Sequence, residues 1–394
     1  MSNDRVTPGS QTSLREANRA RIVSAVQQRG SLTQVELAGV TGLSPATISN
    51  IVKELAGAGV LSTAPTSRSG RRALQVTLAR NLGLVAGIHF GSRSLRVAVA
   101  DTAHQIIAEQ RMPLPPDHRA DAGMERAALL LTELVEQVDA PLEELLAVGV
   151  GVPAPVDVRT GRVSALGLLR GWEGFSVSEE LTQRLGVAVH VDNDANLGAL
   201  AEARVGAASG FQHVVYIRVS HGVGAGLILN GQVFHGRSGT VGEIGHLTVE
   251  DHGPICRCGS RGCLEMYVGA SLLLDMLTTS HGNLTLPEAI HLAQNGDLGC
   301  RRVISDAGQH LGVAAASICN FIDPELLVIG GELAQAGDLL LDPIRAVLGR
   351  RSIPSFDGPV GVVASALGSQ AEVRGALLLA MDHAKIAAPM GGGL

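Results

Sequence analysis

The run His246-x9-Cys256-x-Cys258-x4-Cys263 gathers one imidazole and three thiols in a short span. Zn2+ takes tetrahedral sulfur and nitrogen donors, and a closed Cys3His set is a structural rather than a catalytic site. Gly253, Pro254, Gly259 and Gly262 let the chain fold back around an ion. The alternative is free thiols in a loop, or a Cys-x-Cys redox pair. The added His and third Cys weigh against it. The remaining cysteines, Cys300 and Cys319, lie in helical context and read as buried fillers.

A second constellation is carboxylate-rich. Asp194 ends the run Asp192-Asn193-Asp194 after an apolar stretch and precedes a helical pattern. A base at the carboxyl end of a strand is placed this way. Glu243 and His246 share the segment Val241–His246, and Glu265 follows Cys263 by two. With the amide of Asn193, these groups suit a polyhydroxylated ligand, whose hydroxyls donate to carboxylates and accept from amides. The competing assignment is an N-capping Asp194 with surface glutamates.

These residues need a scaffold of alternating strands and helices. Leu84–Ile88 and Leu95–Ala100 read as strands flanking His89-Phe90-Gly91-Ser92-Arg93. Residues 119–138 have an amphipathic helical pattern. Leu146–Val152, Val187–Val191, Val214–Val219 and Gly224–Leu229 read as strands, and Ala195–Ala207 as a helix. The expectation is an α/β body of two lobes with a cleft. The Gly-rich tail 387–394 is expected to lack regular structure.

Ahead of that body the texture differs. Residues 14–28 predict a helix with Leu14, Ile22, Val23 and Val26 on one face. A short helix with Val35, Leu37, Ala38 and Val40 follows, then the turn Thr41-Gly42-Leu43. Ser44 suits an N-cap with Pro45 at the first helical position, and Ile48, Ile51, Val52 and Leu55 form an apolar face. This is a helix-turn-helix pattern. Ser44, Ala46, Thr47, Ser49, Asn50 and Lys53 would face the major groove, where Asn pairs with adenine and Lys with phosphate or guanine. Val60-Leu61 and Leu74–Leu78 read as two strands around the loop Thr66–Arg72. That is a β-wing whose Arg68, Arg71 and Arg72 suit phosphates or a narrow minor groove. The alternative is a solvated basic hairpin packed on the body.

Charge supports the division. The chain of 394 residues has net charge −6. Residues 1–80 hold ten basic and four acidic side chains, a net +6, leaving 21 basic and 33 acidic, a net −12, for the rest. A basic head on an acidic body points to a polyanionic partner for the head. Aromatic residues make up 2%, which disfavours single-strand binding by stacking. The apolar runs are too short to span a bilayer, and residues 1–22 lack the apolar core of a signal peptide. A cytoplasmic location with no membrane partner is expected.

Taken together, Val148–Asp157 (VGVGVPAPVD), Asp192–Asn196 (DNDAN), Gly242–His246 (GEIGH) and Cys256–Glu265 (CRCGSRGCLE) resemble the ROK family of repressors and sugar kinases. The resemblance covers residues 83 to 383. With the winged helix in front, the chain resembles the xylose-repressor and N-acetylglucosamine-repressor branch. It implies an α/β protein with an N-terminal winged helix-turn-helix and a two-lobed actin-like ATPase fold. Residues 10–80 would form the DNA-binding domain. Residues 83–190 would form the first lobe, completed by a C-terminal helix over 373–386. Residues 191–372 would form the second lobe. By resemblance, Asn193, Asp194, Glu243, His246 and Glu265 face the sugar, and His246, Cys256, Cys258 and Cys263 hold structural zinc.

Family kinases bind ATP through Asp-x-Gly-x-Thr and Gly-Thr-Gly-x-Gly-Gly-Gly loops. Here the matching runs are His89-Phe90-Gly91-Ser92-Arg93 and Ser220-His221-Gly222-Val223-Gly224-Ala225-Gly226. The Mg2+-organising acid is His89, and His221 crowds the phosphate cradle. Phosphoryl transfer depends on positioning and charge neutralisation, so no catalytic residue is expected, Asp194 being a vestigial base. The expected function is a sugar-responsive regulator, its expected partners being operator duplex, a sugar effector and further copies in a homodimer or homotetramer. The alternatives are a sugar kinase with a DNA-binding head, Asp194 its base, and a zinc-stabilised scaffold that no longer binds sugar.

Overall fold

The computed structural model describes residues 11–386, apart from 69–70, 116–117, 165–170, 173, 354–355 and 357. The tail expectation for 387–394 lies outside the described residues.

The head comprises α1 (Gln11–Arg29), β1 (Ser31–Thr33), α2 (Gln34–Thr41), α3 (Pro45–Gly57), β2 (Leu61–Arg68) and β3 (Arg71–Leu78). Thr33 and Glu36 form a reciprocal capping box at the start of α2, and Ser44 caps α3 with Pro45 behind it. Ile48, Ile51, Val52 and Leu55 of α3 are buried against Ile22 and Val26 of α1 and Leu37 of α2. The strands form a three-stranded sheet in the order β1-β3-β2. This corrects the expected wing: Thr66–Ser67 and Arg71–Arg72 are not loop, since β2 and β3 pair as far as Arg68 opposite Arg71. Thr63 through Ser67 hold no large apolar residue to mark a strand by alternation, but a two-stranded ribbon open to solvent needs no apolar face.

The body begins with β4 (Leu84–Phe90), β5 (Ser94–Asp101), β6 (Ile106–Pro113), α4 (Ala120–Gln137), β7 (Leu145–Val152), β8 (Val156–Asp157), β9 (Arg162–Val163), α5 (Val177–Leu185) and β10 (Val189–Asn193). The second half holds α6 (Asp194–Val205), β11 (Val214–Val219), β12 (Val223–Leu229), β13 (Gln232–Val233), α7 (Glu265–Val268), α8 (Ala270–His281), α9 (Leu286–Gln294), α10 (Leu298–Ile322), β14 (Leu326–Gly330), α11 (Asp338–Arg351), β15 (Gly361–Ala364) and α12 (Ala371–His383).

Two five-stranded sheets, β10-β7-β4-β5-β6 and β13-β12-β11-β14-β15, repeat one plan. In each, three antiparallel strands are followed by two that run parallel to the first. A boundary at residue 190 would cut β10, which pairs with β7 through Asn193, so the first sheet ends where α6 begins. The last helix spans 371–383 rather than 373–386.

α12 lies on the first sheet. A Cβ on Gly149 of β7 would sit 1.9 Å from the Ala376 carbonyl, so only glycine permits the approach. α6 lies on the second sheet, with Ala199 packed with Tyr216 and Ile228. The two helices then pack on each other, where a Cβ on Gly375 would sit 2.0 Å from the Leu197 carbonyl. Leu197, Ala201 and Ala376 in this seam are fully buried. Among the described residues, no helix is long and apolar enough to cross a membrane.

Candidate functional site

The carboxyl ends of β4, β10 and β11 border a cleft of about 240 Å³. That is below the ~300–1,000 Å³ of pockets for drug-sized ligands, and suits one small polar molecule. The five residues expected to face a sugar, Asn193, Asp194, Glu243, His246 and Glu265, all line it. So do Arg93, Arg218, His221 and Arg257.

Asn193 caps α6: its side-chain oxygen accepts from the Ala195 and Asn196 N–H groups, and its Nδ2 donates to the Ala154 carbonyl at 3.1 Å. The amide oxygen is thus committed, and the second N–H of Nδ2 is the group left for a ligand. The N-cap is therefore Asn193, and Asp194 is free to face inward. Asp192 holds this corner. Its Oδ1 accepts from Asn193 N and Asn196 Nδ2, and His235 Nε2 lies 2.7 Å from its Oδ2. The contact with Asp192 raises the His235 pKa above its ordinary value.

Asp194 is 4% exposed. Its Oδ2 lies 3.4 Å from Arg218 Nε and 3.6 Å from His89 Nε2. Burial pushes its pKa up, but Arg218 and then His89 outweigh burial and hold the carboxyl below its ordinary range. Oδ2 and His89 Nε2 still lack a hydrogen-bond partner among the described residues, so the carboxylate keeps an acceptor position at the cleft floor. Arg218 also donates to Glu372 Oε1 of α12 at 2.9 Å, and Tyr216 donates to the same oxygen at 3.2 Å.

Glu243 stands apart from these cations. Burial, then the Asp194 and Glu265 carboxylates, push its pKa up to about 7. Near neutrality it is partly protonated and can donate as well as accept. Glu265, at the first position of α7, pairs with Arg257 at 3.0 Å and accepts from Val223 N at 3.3 Å. Burial and then Arg93 hold His221 below its ordinary pKa, favouring the neutral ring.

The Cys3His residues come together behind this wall. One donor atom from each of His246, Cys256, Cys258 and Cys263 falls within 4.8 Å of the others. Cys258 Sγ and Cys263 Sγ are 3.7 Å apart, and Cys256 Sγ lies 3.5 Å from His246 Nδ1. A tetrahedron with metal–sulfur bonds of ~2.3 Å and a metal–nitrogen bond of ~2.0 Å has edges of about 3.8 and 3.5 Å. The donor set therefore fits a metal ion. Val249 N and Gly262 O, Gly262 N and Pro254 O, and Cys256 N and Ser260 O close the loop by hydrogen bonds of 2.8–2.9 Å. Gly262 has φ +64°, and a Cβ there would sit 1.6 Å from the Glu250 carbonyl. Cys300 and Cys319 are buried on α10.

On the head, Ser44, Ala46, Ser49, Asn50 and Lys53 are exposed on one side of α3, and Thr47 is half-buried. Ser44 Oγ accepts from Thr47 N at 3.2 Å and meets Thr47 Oγ1 at 2.8 Å, so both hydroxyls serve the cap first. Arg15 pairs with Glu54 at 2.6 Å, and Arg19 also reaches Glu54. β2 and β3 carry Arg68, Arg71 and Arg72 at the wing end, with their side chains outside the described residues.

Residues 85–383 match the ROK family, and residues 15–62 match winged helix-turn-helix DNA-binding domains. The chain belongs to the ROK family. The DNA-binding transcriptional dual regulator NagC of Escherichia coli K12 is 30% identical over 399 residues, covering 95% of this chain and 97% of that protein. The xylose repressor of Bacillus subtilis is 25% identical, with 95% and 97% covered. The crystal structure of a ROK family transcriptional regulator, a homologue of the E. coli MLC protein, has a TM-score of 0.75 at 24% identity, covering 94% of this chain and 97% of that one. A ROK family glucokinase from Streptomyces griseus, in complex with glucose and AMPPNP, has a TM-score of 0.68 at 27% identity, covering 76% and 99%. The fold of this ROK protein is thus a winged helix-turn-helix joined to a sugar-kinase-like, actin-like body.

The motifs marked the cleft walls but gave no sign of Arg218, His235 or Glu372, and they held Arg257 without pointing to its pairing with Glu265. Arg218 and Glu372 are separated by 154 residues, and no local spacing connects them.

Proposed function

We propose that this protein is a sugar-responsive regulator of carbohydrate-metabolism genes, acting as a repressor and not as an enzyme. One observation carries the reading: an exposed recognition helix is joined to a polar cleft whose candidate base is paired with Arg218 and His89. A base needs to take a proton from a sugar hydroxyl. A carboxylate held below its ordinary pKa between two basic groups is a weak one. With His89 in place of an Mg2+-organising acid, the same arrangement binds hydroxyls without activating them. NagC and the xylose repressor, similar over almost their whole lengths, support this reading.

In it, Asp194 and Glu265 accept from sugar hydroxyls, Glu243 accepts or donates, and Asn193 donates through Nδ2. His246 Nδ1 and the thiolates of Cys256, Cys258 and Cys263 would hold Zn2+, leaving His246 Nε2 for the cleft. The ion supplies a structural brace for the segments that carry Glu243 and Glu265. Ser44, Ala46, Thr47, Ser49, Asn50 and Lys53 address base edges and phosphates of an operator duplex, with Arg68, Arg71 and Arg72 at the wing. Two or four copies present their heads to paired half-sites. Sugar changes the relation of the lobes and thereby the spacing of the heads.

The test is a thermal-shift screen with glucose, N-acetylglucosamine and xylose, followed by duplex binding at fixed salt with and without the hit. Stabilisation by a sugar with a changed operator affinity is expected. ATP-dependent turnover abolished by Asp194→Asn would overturn the non-enzyme reading in favour of a kinase. Absence of any sugar-induced shift would favour the zinc-braced scaffold.

A further inference from the structure

α6 and α12 run side by side from the cleft to the DNA-binding head. At the cleft end, Asp194 opens α6 and Glu372 lies in the first turn of α12, with Arg218 bridging them at 3.4 and 2.9 Å. At the far end, Arg204 of α6 forms a two-pronged pair with Asp382 of α12 at 2.7 and 2.6 Å. Between the ends, the Gly375–Leu197 approach leaves no room for the helices to slide without a clash. A 13-residue helix is about 20 Å long at ~1.5 Å per residue.

The head is fastened to that far end. Gln27 of α1 donates through Nε2 to the carbonyls of Met381 and Ala384, at 2.6 and 2.9 Å. These carbonyls lie at the C-terminal end of α12, where they also accept from Ala384 N and Ile386 N, at 3.2 and 3.1 Å. His104 Nε2 meets the Gln27 carbonyl at 2.9 Å, and the His383 ring stacks on His190 of β10 at 3.8 Å. The end of α12 is thus joined both to α1 and to the strand that leads to Asn193.

We propose that the α6–α12 pair is the coupling element of this protein: Arg218 joins its cleft end to Asp194, and Gln27 joins its head end to the DNA-binding domain. The proposal rests on the sugar-responsive reading, and it adds which residues transmit the response. Glu372 and Gln27 are positioning residues, touching neither ligand. A ligand hydroxyl at Asp194 competes with Arg218 for the same carboxylate oxygen. Any displacement of Arg218 moves the start of α12, and a rigid helix pair carries that displacement to Met381 and Ala384.

Coupling is reciprocal, so it can be read from the DNA side before any effector is known. The probe is a duplex selected by the full-length protein from a random-sequence pool, and the readout is amide hydrogen exchange. In the wild type, duplex binding should slow exchange in Asp194–Leu200 and Ala371–Leu377 by about threefold or more. In Gln27→Leu, duplex affinity should stay within about threefold of wild type while that remote protection falls by at least half. Arg204→Gln, which breaks the far-end pair, should do the same and serves as the second variant. Wild-type protection confined to the head, or equal remote protection in both variants, overturns the proposal. Neither result depends on sugar binding, so a failed sugar screen, which would sink the underlying reading, is recognised separately.

Discussion

Metal removal should loosen the cleft wall more than it loosens the protein. The closing hydrogen bonds of the 249–264 loop, among them Cys256 N to Ser260 O and Gly262 N to Pro254 O at 2.8 Å, contribute roughly 0.5–1.5 kcal/mol each. Fixing a stretch such as 256–263 costs about 1–2 kcal/mol per residue in backbone entropy. Hydrogen bonds alone therefore do not hold it closed, and ligation by His246, Cys256, Cys258 and Cys263 makes up the difference. If closing the metal-free loop costs about 1.4–2.8 kcal/mol, the closed fraction falls to roughly 1–10% and apparent sugar affinity drops about 10- to 100-fold. The same loss lowers Tm by about 3–10 °C. Metal analysis should give one zinc per chain. A phenanthroline-treated sample and a Cys256→Ala variant should both show the two losses, and zinc re-addition should restore only the treated wild type. A verified metal-free preparation with unchanged Tm and unchanged sugar response would refute the reasoning.

Further outcomes follow from the same geometry. Asp194→Asn should weaken binding of a thermal-shift hit about tenfold or more, since hydrogen bonds to a charged group contribute ~1.5–3 kcal/mol; calorimetry with unchanged affinity would exclude Asp194 as a contact. Asn50→Ala should cost about 1–3 kcal/mol at the preferred duplex only, whereas Lys53→Ala should weaken all duplexes and reduce the salt slope by about 1. The His235 pKa is raised by Asp192, so the pair's stabilisation is present in full below the unfolded value near 6.5 and is lost as pH rises through the folded value. His235→Gln should accordingly lower Tm more at pH 6 than at pH 8.5, and a Tm difference independent of pH would rule the ion pair out.

How far these features were legible depends on their range in the chain. The Cys3His set, the strand ending at Asp192-Asn193-Asp194 and the head helices are local patterns, in which spacing alone brings the side chains together. The Ser44 cap with Pro45 behind it is of the same kind. The wing was under-read because Thr63–Ser67 hold no large apolar residue, and a ribbon without a buried side leaves no alternation. The boundary at 190 failed for another reason. β10 is short, its buried residues are Val189, Val191 and Asp192, and only its pairing with β7 carries the strand to Asn193.

Arg218 shows why the rest was hidden. In sequence it is one cation in an apolar strand, Val214–Val219, with nothing in the neighbouring residues to mark a partner. The fold instead directs it between α6 and α12, where Asp194 and Glu372 offset the cost of burying it. An isolated buried charge costs several kcal/mol, and removing one partner from a buried ion pair costs about 3–5 kcal/mol. The three groups therefore exist only as a set, drawn from segments separated by 24 and 154 positions. Losing the cation would leave two buried carboxylates, 4% and 3% exposed, with only Tyr216 on Glu372 and His89 beside Asp194. That interdependence is a stronger reason to regard Asp194 as a binding and coupling group than the altered phosphate loops are. Loops lose residues for many reasons, but a guanidinium 3.4 Å from Asp194 Oδ2 directly opposes the protonation that a base must undergo.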